Sequence, residues 1–233
     1  MLKTDVPIEK YDIYIFDFDG TIIDSKELMK KSLENCVKQY NDGYRIDYKL
    51  FFSLMGDSLE NIFEKMGLPT DLAKGYREYS VNNVKEVKLF PQVVHFIQYL
   101  YQMKKKIILF TGKDRARTME LLRIFKLQKY FNMIITPDDL TYPKPHPEGV
   151  QIVLDKYKIN NNKAILIGDG RYDILAAKGA NIHAMYVDWG TGNLAEISEL
   201  QPNYILYQPE ELNKLVFKEE IHAKFEKQEY IHN

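Results

Sequence analysis

One cysteine, Cys36, in 233 residues leaves no partner for an internal disulfide, so nothing in the chain asks for an oxidising compartment. No apolar run approaches the roughly 18 uncharged residues of a membrane helix, and the N-terminus opens with Lys3, Asp5, Pro7 and Glu9 rather than an apolar stretch. The expectation is a cytoplasmic protein that does not enter a membrane. An excess of one charge is missing too: 32 Lys and Arg stand against 33 Asp and Glu, a formal net charge of −1. That argues against nucleic acid and anionic membranes as partners, because both are bound by many cations facing phosphates. His95, His146, His183, His222 and His232 never come at metal-ligand spacing. They read as surface or structural residues, with His146 the one placed to see a site.

What is there is a globular composition, 45% apolar and 28% charged, which excludes disorder. Five short apolar runs, Ile13–Phe16, Ile107–Phe110, Met133–Ile135, Ala164–Ile167 and Ala184–Val187, are separated by helical patterns. Runs apolar on both faces and alternating with helices predict a parallel sheet covered on both sides, an α/β doubly wound fold. In such a sheet ligands bind beyond the carboxyl ends of the strands, which directs attention to Asp17, Thr111, Thr136 and Asp169.

The stretch from about Asp24 to Lys88 breaks this alternation with helix after helix. Met29, Leu33, Cys36, Val37 and Tyr40 keep helical spacing behind Asp24 and Glu27, and Leu59, Ile62, Phe63 and Met66 do so behind Asp57 and Glu60. A third helix follows Thr70. Pro91 opens the return helix, with Val94, Ile97 and Tyr101 on one face. The expected division is a core of residues 1–22 and 89–233 with a helical insertion at 23–88. The charged tail, Phe217 to Asn233, reads as a solvated terminal helix or a frayed end.

The first apolar run ends in Asp17-Phe18-Asp19-Gly20-Thr21 and the fourth in Gly168-Asp169-Gly170-Arg171-Tyr172-Asp173. Either alone is an ordinary strand-to-turn junction or a helix cap. Together they bring four acids to one crevice, where their repulsion calls for a hard cation, and Mg²⁺ takes oxygen ligands. Thr111-Gly112 follows another run, and Lys144 sits among prolines that hold its loop extended. Acids with a cation on one side, and a lysine with a hydroxyl on the other, make a box for a phosphoryl group.

These four ordered motifs, Asp17-x-Asp19-Gly20-Thr21, Thr111, Lys144-Pro145-x-Pro147 and Gly168-Asp169-x-x-x-Asp173, resemble those of the haloacid dehalogenase (HAD) superfamily. The insertion after the first motif, Pro91, Val187-Asp188-Trp189-Gly190 and the segment from Pro202 to Leu212 resemble its phosphoglycolate phosphatase and β-phosphoglucomutase branch. The resemblance covers roughly Tyr11 to Leu212. It implies a Rossmann-like core with an inserted helical cap, and a Mg²⁺-dependent phosphatase acting on a small phosphate ester through an aspartyl-phosphate. Asp17 is then the nucleophile and Asp19 the general acid and later base. Thr111 and Lys144 complete the catalytic set, and Gly20, Thr111, Gly112 and Lys144 meet the phosphate. Mg²⁺ is held by Asp17, Asp169 and the backbone carbonyl of Asp19, with Asp173 supporting. Gly170 departs from the Ser or Thr usual there. Met29 stands where mutases of the branch carry a His, which demotes the alternative of a sugar-phosphate mutase; a phosphate-binding regulatory protein is the other alternative. An acidic leaving group calls for a cap cation, with Lys30, Lys31, Arg45 and Lys65 as candidates. Trp189 and Cys36 read as packing residues. The oligomeric state is not legible.

Overall fold

A computed structural model describes residues 6–41 and 43–215; the charged tail, with His222 and His232, lies outside the described residues. The chain runs through β1 (Ile13–Phe16), β2 (Ile23–Asp24), α1 (Lys26–Tyr40), α2 (Tyr48–Ser53), α3 (Leu59–Lys65), α4 (Leu72–Asn82) and β3 (Lys88–Leu89). It continues through α5 (Pro91–Gln102), β4 (Lys106–Phe110), α6 (Arg115–Ile124), β5 (Met133–Ile135), α7 (Glu148–Tyr157) and β6 (Ala164–Gly168). The remaining elements are α8 (Arg171–Gly179), β7 (His183–Val187), α9 (Leu194–Glu199) and β8 (Tyr204–Leu206). All five apolar runs are strands. They join β8 in a parallel sheet of order β5-β4-β1-β6-β7-β8.

Alternate side chains of β1 enter opposite apolar layers, Ile13 and Ile15 meeting the side of Val150, Val153 and Ile174, and Tyr14 and Phe16 the side of Phe96 and Ile97. That is why the run shows no polar alternation. Pro91 does start α5, but its buried face is Val93, Phe96, Ile97 and Leu100. Tyr101, expected on that face, is 52% exposed and turns its ring edge-on to Tyr130. The strand order changes direction at β1, which lies between β4 and β6. Such a switch point opens a crevice at the carboxyl ends of its strands.

Between β1 and α5 the helices build an apolar core of their own from Met29, Leu33, Cys36, Val37, Phe51, Ile62 and Phe63. Tyr40, at the last position of α1, projects past that core and is exposed. The two chain segments that lead into and out of the insertion pair with each other in a separate two-residue antiparallel ribbon, Ile23 opposite Leu89 and Asp24 opposite Lys88, which the helical reading of this stretch omits. Two helix starts fall one residue later than expected. Ser25, not Asp24, stands at the N-cap position of α1, without a side-chain cap bond, and Ser58, not Asp57, caps α3, its hydroxyl accepting the Asn61 N–H at 3.3 Å. Asp57 lines the crevice, as described below, whereas Asp24 is exposed and accepts the Lys26 N–H at 3.4 Å. Among the described residues no helix is long and apolar enough to cross a membrane.

Candidate active site

Strand register brings the first and last motifs together. Phe16 pairs with Leu109 of β4 and with Ile167 of β6, so Asp17 emerges beside Phe110 and Gly168, with Thr111 and Asp169 one residue further on. Carboxylate oxygens of Asp17, Asp169 and Asp173 lie within 4.8 Å of one another, all three residues buried. Lys144, 1% exposed, reaches in from its loop and donates to Asp17 Oδ1 at 2.8 Å, Asp173 Oδ1 at 2.6 Å and the Phe110 carbonyl at 2.6 Å.

Three carboxylates with one ammonium are short of positive charge. Burial raises Asp17 well above its ordinary value against the pull of Lys144, with Asp173 and Asp169 adding to the rise. Asp169 is pushed up to about 7 by burial and then by Asp173. Burial works to lower Lys144, yet the two carboxylates outweigh it and keep its ammonium charged. The cluster's excess of acid suits a metal cation. Asp169 is further fixed by Thr191, whose N–H and hydroxyl reach Oδ2 at 2.6 and 2.9 Å. Thr191 thus supplies a hydroxyl near the position where Gly170 has none. Gly170 instead gives its N–H to Asp173 at 3.0 Å.

Asp19 stands apart from this triad. Its Oδ1 accepts the Ser25 hydroxyl at 2.5 Å and lies 3.2 Å from Lys113 Nζ, which is why Ser25 does not serve its helix as a side-chain cap. Lys113 is buried, which lowers its pKa although Asp19 opposes the shift. Thr111 accepts the Lys113 N–H at 3.1 Å and keeps its own O–H for donation. Gly20 has φ +77° and its N–H goes to the Ile23 carbonyl at 2.7 Å; a Cβ there would strike the Asp169 carboxyl. At Gly112 a Cβ would strike the Gly56 carbonyl. The space above Gly112, expected for phosphate, is occupied by backbone of the helical insertion.

A cleft of about 50 Å³ opens between the triad and the insertion, lined among others by Asp19, Met29, Asp57, Tyr76, Lys113 and Arg117. Lys113 and Arg117 escaped the sequence reading, although a lysine directly after Thr111-Gly112 and an arginine one helical turn later are the signal that would have found them. The expected insertion cations do not line it. Lys31 pairs with Glu86 at 2.7 Å, Lys30 lies over the Tyr48 ring and Arg45 is exposed. Lys65 pairs with Asp57 at 2.6 Å and reaches Tyr172 at 3.1 Å, a bond from the insertion to the core. His146, expected to see the site, is exposed, stacks on Tyr142 and accepts the Glu148 N–H at 3.2 Å. Thr136 serves a local turn with Asp139. Trp189 packs against Phe90 and donates to the Thr21 carbonyl. Cys36, its thiol pushed up to about 11 by burial, is a small core residue.

An α/β sheet with this buried acid–lysine cluster at its switch point defines a phosphoryl-handling hydrolase, and the comparisons with known proteins agree. Residues 14–187 match the family of haloacid dehalogenase-like hydrolases. The chain belongs to that family and is a phosphatase within it. It is 30% identical over 196 residues to the pyrophosphatase PpaX of Oceanobacillus iheyensis, covering 82% of this chain and 90% of the relative. A haloacid dehalogenase-like hydrolase from Streptococcus pneumoniae superposes with a TM-score of 0.75 at 25% identity, over 89% of this chain and 99% of that one. A structure described as a predicted phosphoglycolate phosphatase from Haemophilus somnus shares the fold, with a TM-score of 0.76 at 17% identity over 88% and 98% of the two chains.

Proposed function

We propose that this chain is a Mg²⁺-dependent phosphatase that cleaves small phosphate esters or anhydrides through a covalent aspartyl-phosphate on Asp17. The observation that carries the reading is the buried triad of Asp17, Asp169 and Asp173 with Lys144 as its sole bonded cation among the described residues. An all-oxygen donor set with excess negative charge fits a hard divalent ion. Asp17, Asp169 and the Asp19 carbonyl would hold it, with Asp173 behind them. When bound, it supplies positive charge for the phosphoryl oxygens.

Asp17 attacks phosphorus, forming a P–O bond as the bond to the leaving oxygen breaks, and Asp19 hands that oxygen a proton. Water then attacks the aspartyl-phosphate, Asp19 takes its proton, and the bond to Asp17 breaks to release inorganic phosphate. Lys144 lowers the repulsion between carboxylate and phosphate, and the Thr111 hydroxyl donates to a phosphoryl oxygen. The helical insertion, seated on Gly112, keeps bulk water out of the first transfer. Met29, facing the cleft without a titratable group, speaks against a mutase. Pyrophosphate, the substrate named for the PpaX relatives, and phosphoglycolate head the list of compounds to try, and a cytoplasmic setting goes with this activity.

The test is phosphate release from a panel of such compounds, in Mg²⁺ and in EDTA, by the native protein and by Asp17→Asn. Release that needs Mg²⁺ and vanishes in Asp17→Asn is expected. Turnover that survives in Asp17→Asn, or none from any compound, sinks the reading.

A further inference from the structure

Two cations on one wall of the cleft are not accounted for by the transfer itself. Lys113 follows the Thr111-Gly112 turn just ahead of α6, its ammonium 3.2 Å from Asp19 Oδ1, and Arg117 lies in the first turn of that helix. Both line the cleft at 8% exposure. A guanidinium that deep needs a fixed partner, and Asp114 provides it, accepting Arg117 Nε at 2.7 Å and its backbone N–H at 3.0 Å. Asp114 also accepts Arg77 Nε of α4 at 3.2 Å. Burial works to raise Asp114, but Arg117 outweighs it and keeps the carboxylate ionised. On its other side the Arg117 guanidinium carbon stands 5.6 Å from the centroid of the Tyr76 ring. The side chain is therefore clamped from behind by Asp114 and by the Tyr76 side chain, which also hydrogen-bonds it, while the rest of the fork's N–H donors remain for a ligand. Across the cleft stand Met29, Leu59, Ile62 and Asp57, the last an acid already paired with Lys65, so an incoming anion finds no cation lining that side and its counter-charges are Lys113 and Arg117.

We propose that Lys113 and Arg117 form a second anion subsite that receives the leaving group, so that preferred substrates carry a second phosphate or a carboxylate close to the bridging oxygen. This rests on the phosphatase reading above. A site built to bond a charged group discriminates against compounds that lack it, because its own buried donors are then left unpaired. The cation sought on the helical insertion is supplied instead by the core.

The subsite is testable without turnover. Binding of methylenediphosphonate and of methylphosphonate is measured calorimetrically in Mg²⁺ for the native protein, Arg117→Met and Arg117→Lys, alongside phosphate release from pyrophosphate, 2-phosphoglycolate and methyl phosphate. Arg117→Met is expected to lower the preference for the diphosphonate about 10- to 100-fold, and Arg117→Lys to retain part of it. The ratio of kcat/KM for pyrophosphate over methyl phosphate falls with it. Equal loss on both probes, as a purely structural strut between α6 and Tyr76 would give, overturns the proposal, as does a native protein with no preference. A diphosphonate preference without phosphate release from any compound retires the phosphatase and leaves the subsite standing. Equal release from pyrophosphate and methyl phosphate does the reverse. Ranking pyrophosphate against 2-phosphoglycolate tells which anion the subsite takes.

Discussion

Replacing Lys144 by Met isolates the charge that holds the crevice together. Met keeps most of the alkyl stem but not the ammonium, which sits over the Phe110 ring at 4.5 Å from the centroid. Lost are the charge and the bonds to Asp17, Asp173 and the Phe110 carbonyl, leaving three buried carboxylates within 4.8 Å without a bonded cation. Removing one partner of a buried ion pair costs about 3–5 kcal/mol, because the remaining charge has no compensation. Against a total stability of about 5–15 kcal/mol the variant still folds. The cost has a signature that a packing defect lacks: acid relieves it by protonating Asp17 and Asp169, both raised by burial, and Mg²⁺ relieves it by about 2.7 kcal/mol at a hundredfold excess over Kd. Urea unfolding followed by the fluorescence of Trp189, the one tryptophan of the chain, measures all of this at pH 5 and pH 7.5, in EDTA and in Mg²⁺. A loss below about 1 kcal/mol at pH 7.5 in EDTA, or one that is the same at pH 5 and indifferent to Mg²⁺, refutes the charge-balance argument.

The native protein without metal carries a related pH dependence. Asp169 rises from its ordinary 3.8 to about 7 on folding, so the folded state binds more protons than the unfolded one between those values. Its contribution is fully present below about pH 4 and lost as pH climbs through 7, on the order of 4 kcal/mol at most; urea midpoints in EDTA should fall from pH 5 to pH 8, and Mg²⁺ should offset the fall. Gly112→Ala puts a methyl against the Gly56 carbonyl and should keep the insertion from seating, lowering kcat/KM about 100-fold while the unfolding midpoint of the sheet stays within about 0.5 kcal/mol of native. A variant that is fully active in steady-state assays shows that this closed contact is not used in turnover.

Which features the sequence disclosed follows from how local their causes are. The strands β1, β4, β5, β6 and β7 show as unbroken apolar runs because both faces are covered, and the residues after them locate Asp17, Thr111 and Asp169 with no knowledge of the register. The three-residue β8 and the six-residue α2 are too short for a period to declare itself. The helix starts at Ser25 and Ser58 slipped by one residue for a different reason. Asp and Ser cap equally well by type, so type does not choose between neighbours; Asp57 is taken by Asn61 and Lys65, and Asp24 accepts the Lys26 N–H instead.

The same distinction separates what was legible at the site from what was not. Asp17, Asp169, Asp173 and Lys144 converge because strand ends and the loop beyond β5 must converge in any parallel sheet of this order. Lys113, Arg117, Tyr76 and Thr191 gain their meaning from approach across the crevice, between segments that sequence spacing does not relate. Lys65 shows the point from the other side: as a cation on the insertion it was a fair candidate for an acidic leaving group, yet with Asp57 at 2.6 Å and Tyr172 at 3.1 Å its ammonium is occupied in fastening the insertion to α8. A charged side chain's type can be read from one dimension, whereas its partner has to be read from three. That partner is what decides whether Lys65 and Arg117 fasten the two parts of the molecule or bind what lies between them.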